Sequence, residues 1–64
     1  MNVGHLTATA CAICQPAGID CRYEWDAGRK VFAWVFLHNG HRLKSISKPG
    51  AVITAAEKLV DNGK

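Results

Sequence analysis

Apolar and polar residues follow two different periods along the chain. Between Ile19 and Ile46, runs rich in β-branched and aromatic residues are separated by short polar segments, which is typical of strands. The stronger turn signal is Asn39-Gly40, because this dipeptide accepts the positive φ angles of a two-residue hairpin turn. Ala27-Gly28 marks a second turn. The pattern predicts three antiparallel strands in a meander over residues 19–46.

A helical period follows the strands. Ser47 is a candidate N-cap, Pro49 is tolerated in a first turn, and Gly63 stands where glycine commonly ends a helix. Apolar residues recur at helical spacing between them, at Ala51, Val52, Ala55, Ala56, Leu59 and Val60. We therefore predict a helix over residues 48–62, packed on one face of the sheet.

The segment before the first strand is the least regular part of the pattern. Residues 1–19 contain no Asp, Glu, Lys or Arg. We expect residues 1–18 to form an arm that is irregular or contains a short helix over residues 6–14. Because 64 residues leave room for a single small domain, the predicted fold is one α+β domain of arm, meander and helix.

The turn positions predict which strand residues are neighbours. A two-residue turn at Asn39-Gly40 pairs His38 with His41, Phe36 with Leu43 and Trp34 with Ser45. A turn with Ala27-Gly28 at its tip pairs Cys21 with Trp34 and Tyr23 with Phe32. One face then forms the predicted core, with Ile19, Cys21, Tyr23, Trp25, Phe32, Trp34, Phe36 and Leu43.

The opposite face has an apolar stripe down its centre. Val31, Val35 and Leu37 are the candidate protein-interaction residues, because an apolar stripe among charged neighbours is normally covered. The cover could be the N-terminal arm, a second copy of the chain in a homodimer, or a different protein. The sequence leaves these three alternatives open.

Basic residues are concentrated in the second half of the meander. The chain has eight Lys and Arg against five Asp and Glu, a formal net charge of +3. No acid lies between positions 29 and 48, where Arg29, Lys30, Arg42, Lys44 and Lys48 are the candidate nucleic-acid-binding residues. Such a segment attracts a polyanion, and Lys48 at the start of the helix is placed to contact phosphate. The alternative is a solvated basic edge that prevents strand pairing.

Three cysteines are an odd number, whereas a disulfide framework normally uses an even number. Cys11 and Cys14 have the two-residue gap of a zinc knuckle, and Cys21 with His5 would complete four ligands. Small buried thiols are the other explanation, and we predict no cofactor. The N-terminus lacks the features of a signal peptide and no apolar run approaches a membrane span, so we expect a cytoplasmic protein without membrane association.

Nothing in the sequence indicates an active site. It contains no carboxylate pair, phosphate-binding glycine loop or nucleophile elbow, so we expect a non-enzymatic protein. His38 and His41 flank a hairpin turn, a position where histidines usually have no special role. Trp25 and Trp34 are residues that could stack on bases, but on the predicted core face packing explains them better.

The helix and the residues before it resemble a known family. Ser47-Lys48, Ala51, the pair Ala55-Ala56 and Leu59 resemble the end of a double-stranded-RNA-binding domain, which follows a three-stranded sheet. The resemblance covers about residues 20–62 and implies RNA binding. Pro49 and Val52 stand where that family has phosphate-binding lysines.

Two further resemblances are less extensive. Phe32-Ala33-Trp34-Val35, followed by Asn39-Gly40 and a terminal helix, is similar to YegP-like small domains, which tend to self-associate. The strand order alone is similar to phage integrase arm-binding domains, which would recruit Arg22, Arg42 and Lys44 to a DNA groove. The sequence thus predicts a small nucleic-acid-binding module. The alternative is a protein-interaction or inhibitor module of the kind that phages and other mobile elements encode.

Overall fold

The structure is a computed structural model that describes residues 2–62. Its elements are helix α1 (Val3–Cys14), strands β1 (Ile19–Asp26), β2 (Val31–His38) and β3 (His41–Ile46), and helix α2 (Val52–Asn62). Short 3-10 turns at Gln15–Ala17 and Pro49–Ala51 precede β1 and α2. The strands form one antiparallel sheet in the order β1-β2-β3, so the predicted α+β meander with a C-terminal helix is confirmed.

The N-terminal arm is more regular than the sequence pattern indicates, because α1 is a helix of 12 residues. The side chain of Asn2 accepts a hydrogen bond from the His5 backbone N–H at 3.1 Å, as an N-cap does. Leu6, Ala10 and Cys14 recur every four residues and are buried. Alanine and cysteine make this stripe only weakly apolar, so its helical period is faint in the sequence.

Helix α2 begins differently from the prediction. A 3-10 turn starts it, with Lys48 rather than Ser47 at the cap position and no side-chain cap. The Ala51 backbone N–H donates to the Lys48 carbonyl at 3.1 Å. The predicted glycine stop, Gly63, lies outside the described residues.

The β2–β3 hairpin has the predicted turn but a different register beyond it. Asn39 and Gly40 adopt φ angles of 52° and 79°, and His38 pairs with His41 as expected. A β-bulge then shifts the register, so the predicted pairs of Phe36 with Leu43 and Trp34 with Ser45 are wrong. Phe36 pairs with Lys44 and Trp34 with Ile46. The extra residue brings apolar Ile46, instead of Ser45, to the core side of the sheet.

The β1–β2 turn is longer than predicted. One oxygen of the Asp26 carboxylate accepts hydrogen bonds from the backbone N–H groups of Gly28 (3.0 Å) and Arg29 (3.2 Å). These bonds stabilise a turn of four residues that ends at Lys30 with a φ of 58°.

The longer turn changes the pairing between β1 and β2. Cys21 pairs with Phe36 and Tyr23 with Trp34, so the predicted pairs of Cys21 with Trp34 and Tyr23 with Phe32 are wrong. A shift of two residues leaves every side chain on its predicted face.

Both helices pack on the same face of the sheet, which we call the inner face. One buried cluster joins α1, α2 and this face, with Leu6, Ala10, Cys14, Ile19, Cys21, Trp34, Phe36, Val52, Ala55 and Ala56. The indole N–H of Trp34 donates to the Thr7 hydroxyl at 2.8 Å, which fixes α1 over the centre of the sheet.

Four predicted members of the core are exposed instead, namely Tyr23, Trp25, Phe32 and Leu43. The cause is length. Strands of eight residues span about 27 Å, whereas the 11 residues of α2 span about 16 Å. The hairpin end of β1 and β2 therefore projects beyond α2, and Leu43 lies at the bulge of an edge strand.

We predict that Thr7→Val lowers the free energy of unfolding by about 1–3 kcal/mol, because it leaves the buried indole N–H of Trp34 without an acceptor. Thr9→Val is the matched control, since the Thr9 hydroxyl bonds only to the His5 carbonyl of its own helix. Its effect should stay within about 0.5 kcal/mol. Urea unfolding followed by circular dichroism measures both. Equal losses in the two variants would contradict the assigned role of the Trp34–Thr7 bond.

Candidate functional site

The sheet face opposite the helices, which we call the outer face, is a surface of paired charges. β1 supplies the acids that the basic segment between positions 29 and 48 lacks. Two ion pairs join this segment to β1, Arg29 with Asp26 at 3.0 Å and Arg42 with Glu24 at 3.8 Å, and a third, Arg22 with Asp20 at 3.0 Å, lies within β1. Two of the five predicted nucleic-acid-binding residues, Arg29 and Arg42, are therefore partly neutralised.

Arg29 connects the first turn to the edge strand. Its guanidinium donates to the Asp26 carboxylate at 3.0 Å and to the Ser45 hydroxyl at 2.7 Å. Because Asp26 belongs to β1 and Ser45 to β3, the side chain crosses the central strand. The hydrogen bonds from the Arg29 side chain and backbone lower the pKa of Asp26 below its ordinary value.

The centre of the predicted apolar stripe is buried, although no helix packs on the outer face. Ala33 and Val35 are 0% and 2% exposed, although both lie outside the cluster beneath the helices. The Arg42–Glu24 pair joins β3 to β1 across the central strand near Val35. The N-terminal arm does not provide the cover, since α1 packs on the inner face. Among the predicted protein-interaction residues, Val31 is exposed, Leu37 is half-buried and Val35 is buried.

The lysines of the predicted site differ from its arginines. Lys30, Lys44 and Lys48 are exposed, and within residues 2–62 none of them forms an ion pair. Lys48 and Arg29 line one pocket of about 200 Å³ together with Ser45 and Ser47, and Ile46 and Ala51 complete its lining. The structure therefore brings the β1–β2 turn next to the start of α2, and Lys44 lies along the adjoining edge strand.

A cluster of exposed aromatic rings lies on the inner face at the end of the β1–β2 hairpin. We call Tyr23, Trp25 and Phe32 the aromatic cluster; they are 37%, 54% and 51% exposed. The ring centroids of Tyr23 and Phe32 are 5.3 Å apart in a stacked arrangement, and those of Trp25 and Phe32 are 5.2 Å apart, edge to face. Tyr23 also contacts the buried ring of Trp34 at 4.5 Å, so the cluster continues outward from the core.

The start of α1 borders this cluster. Cys11 contacts β1 at Cys21, and Thr7 contacts Trp34, the pairing partner of Tyr23. From Cys11 back to Thr7 the contacts move forward along β1 from Cys21 to the level of Tyr23, so α1 runs antiparallel to β1. Four residues of a helix advance about 6 Å and two residues of a strand about 7 Å, so each turn of α1 lies beside two residues of β1. The next turn carries Val3, which is also exposed, toward the open end of the hairpin.

Sequence reasoning places the aromatic cluster in the core and so does not recognise it as a surface. The signal is present in the strand lengths, because two eight-residue strands extend well past an 11-residue helix. Periodicity assigns a face to each residue. It does not say how far along that face the covering helix reaches.

The three cysteines are free thiols between α1 and β1. The Cys11 thiol donates to the Cys21 carbonyl at 3.1 Å. Burial, together with the neighbouring thiols, raises the pKa of Cys21 to about 12, and burial also raises the pKa of Cys14. Across residues 2–62, no three His, Cys, Asp or Glu side chains come together as a metal site, so the ligand set of the zinc alternative is not assembled.

The histidine pair of the β2–β3 turn lies at the opposite end of the molecule. His38 lines a pocket of about 300 Å³ with Ala17, Ile19, Leu43, Leu59 and Asn62. Its lining is largely apolar and the part of the chain that is described supplies no charged partner there. This end therefore offers less chemistry than the end that holds the aromatic cluster and Lys48.

Comparison with protein-family models, with curated proteins and with solved structures found no match to this chain. Neither helix of the described chain has the length and apolar character needed to cross a bilayer.

We predict that iodoacetamide modifies Cys11 well before Cys14 and Cys21 in the folded protein at pH 8. Cys11 is partly exposed, whereas the other two are buried. A pKa raised from 9.0 to about 12 also reduces the reactive thiolate of Cys21 by about a thousandfold. Peptide mass spectrometry measures the order, and labelling in urea is the control in which all three should react alike. Rapid labelling of Cys21 without urea would contradict the packing of α1 on β1.

Proposed function

We propose that the chain is a small non-enzymatic nucleic-acid-binding module. Its working surface is the lysine edge, which we define as Lys30, Lys44 and Lys48, with Arg29 and Arg42 beside it. The observation that carries the proposal is the pocket that exposed Lys48 and Ser47 line, with Arg29 and Ser45, which are hydrogen-bonded to each other, at its wall. Cationic groups and hydroxyls are the usual donors to phosphate oxygens in protein–nucleic acid contacts.

The division between arginines and lysines supports this surface. The outer-face arginines have acidic partners, so their charge is partly used within the fold. The lysine edge has no such partners among the residues described, and its charges face solvent. Phosphate contacts made by these lysines would release bound counterions from the polymer, which makes the affinity depend on salt.

Two other features of the chain are compatible with the proposal. Three free thiols are suited to the reducing conditions of the cytoplasm, where nucleic acids are accessible. The element order of helix, three strands and helix contains the strand–strand–strand–helix order on which the resemblance to double-stranded-RNA-binding domains rests.

The second candidate function is protein interaction through the outer face. Exposed Val31 favours it. However, the burial of Val35 beneath charged side chains leaves a smaller apolar surface than the sequence indicates. We therefore rank it below nucleic-acid binding, with a homodimer or a heterologous partner as outcomes of the same experiment.

We predict that the chain binds short labelled oligonucleotides in fluorescence anisotropy, with an affinity that falls as salt increases. The double variant Lys30→Ala with Lys48→Ala should weaken binding and lower the salt slope by about one for each phosphate that is no longer bound. Lys58→Ala, which removes an exposed lysine on α2 away from the pocket, is the matched control and should change little.

Two results would contradict the proposal. One is the absence of binding to single-stranded DNA, double-stranded DNA and double-stranded RNA at low salt. The other is an equal weakening by Lys58→Ala, which would show attraction by net charge without a defined surface. A concentration-dependent oligomer that Val31→Glu dissociates, in a chain that binds no oligonucleotide, would favour the interaction function instead.

A further inference from the structure

We propose that the aromatic cluster of Tyr23, Trp25 and Phe32 is a base-stacking platform, which makes the ligand a single-stranded nucleic acid. This inference rests on the proposed nucleic-acid binding and specifies its substrate class. It adds a second observation, the exposed rings, to the lysine edge and uses Lys30 and Lys48 for the charge beside those rings.

The first observation is that these rings are exposed to solvent, whereas the other aromatic side chains of the inner face are buried. Trp34 is 2% exposed, whereas the next inner-face pair along the sheet, Trp25 and Phe32, are 54% and 51% exposed. Three large aromatic side chains that remain this accessible form a continuous apolar surface, the kind of patch that marks a binding site.

The second observation is that the rings are already held in place. All three lie on paired strands, and their centroids form a chain from Trp34 through Tyr23 and Phe32 to Trp25 in steps of 4.5, 5.3 and 5.2 Å. A ligand that stacks on them does not need to order a flexible loop. Base–aromatic stacking accepts any base, because every base has a π-face.

The third observation is the charge around the cluster. Lys48 follows Ile46, the pairing partner of Trp34, by two residues and lines a pocket with Arg29 of the β1–β2 turn, which places it on the β3 side of the sheet near the hairpin end. Lys30 closes the turn at the end of the same hairpin. The nearby acids, Glu24 and Asp26, belong to the outer face and pair with Arg42 and Arg29.

Aromatic rings beside exposed lysines suit a polyanion with accessible bases. A duplex offers phosphates but keeps its bases stacked internally, so it could use the lysine edge and not the rings. A single strand can use both surfaces together. A protein partner would need an acidic surface beside an apolar one to use both features, whereas a single strand carries phosphates and accessible bases along its whole length. The observations therefore favour a single strand.

The two tryptophans make the test direct, because Trp25 is exposed and Trp34 is buried. We expect oligo(dT) to quench the intrinsic fluorescence of the wild-type protein. Trp25→Phe keeps a ring at this position but leaves only buried Trp34 to emit, so the quenching should disappear while the affinity is largely retained. A duplex of the same length should quench little.

The double variant Trp25→Ala with Phe32→Ala tests the affinity. It should weaken oligo(dT) binding at least about tenfold and leave duplex binding and its salt slope unchanged. Leu43→Ala is the matched control, since it removes an exposed apolar side chain at the far end of the same sheet and should have no effect. Urea unfolding verifies that the aromatic variants remain folded, as expected for exposed positions.

The failures of the two proposals are distinguishable. If the aromatic double variant binds oligo(dT) as wild type does while Lys30→Ala with Lys48→Ala weakens it, the stacking platform is wrong and the nucleic-acid function stands. If no oligonucleotide binds at low salt, both fail. Sedimentation of the protein alone gives a third result, because a self-association that Trp25→Ala with Phe32→Ala abolishes would assign the rings to a second copy of this chain and overturn the stacking platform.

Discussion

The placement of Trp34 determines which parts of this small molecule are covered. Its indole N–H bonds to Thr7 on α1, its strand position pairs with Ile46 on β3, and its ring contacts Tyr23 on β1. A single residue thereby links one helix and all three strands through its side chain and its strand pairing. A 64-residue chain can bury only about 60% of its surface, so one large ring at the centre contributes a substantial share of the core. The exposed rings begin with its own pairing partner, Tyr23, which anchors a solvent-facing surface to a buried ring of the core.

The outer face shows how a chain with both helices on one side of its sheet protects the other side. No described element packs against Ala33 and Val35. The side chains of Arg29 and Arg42 bridge β1 and β3 on this face instead. The long methylene chain of arginine covers apolar surface while its guanidinium stays in water. These arginines therefore have a structural task, which explains why the exposed positive charges without an ion pair, within residues 2–62, are carried by lysines.

Much of the fold could be predicted from local sequence signals. Asn39-Gly40 specifies one hairpin, and the spacing of apolar residues specifies α2 and the faces of β1 and β2. The two register errors come from contacts that a pattern does not contain, namely the Asp26 carboxylate that stabilises a four-residue turn and the bulge at Leu43. The basic residues of the candidate site could be identified from the sequence, but the exposure of its aromatic rings could not. To identify Trp25 and Phe32 as exposed residues, one must know where along the sheet the covering helix ends, which only the three-dimensional structure gives.

The bulge at Leu43 also has a consequence for how the sheet could grow. It interrupts the ladder of β3, the strand at one margin of the sheet, and the twist that a bulge introduces makes a poor template for an added strand. The other margin, β1, is a continuous strand of eight residues, and its outward side chains Asp20, Arg22 and Glu24 alternate in charge. An apolar strand that docked there would bury these charges. Both margins thus resist templated aggregation, so that a surface as apolar as the aromatic cluster can be displayed without the sheet becoming a seed for fibrils.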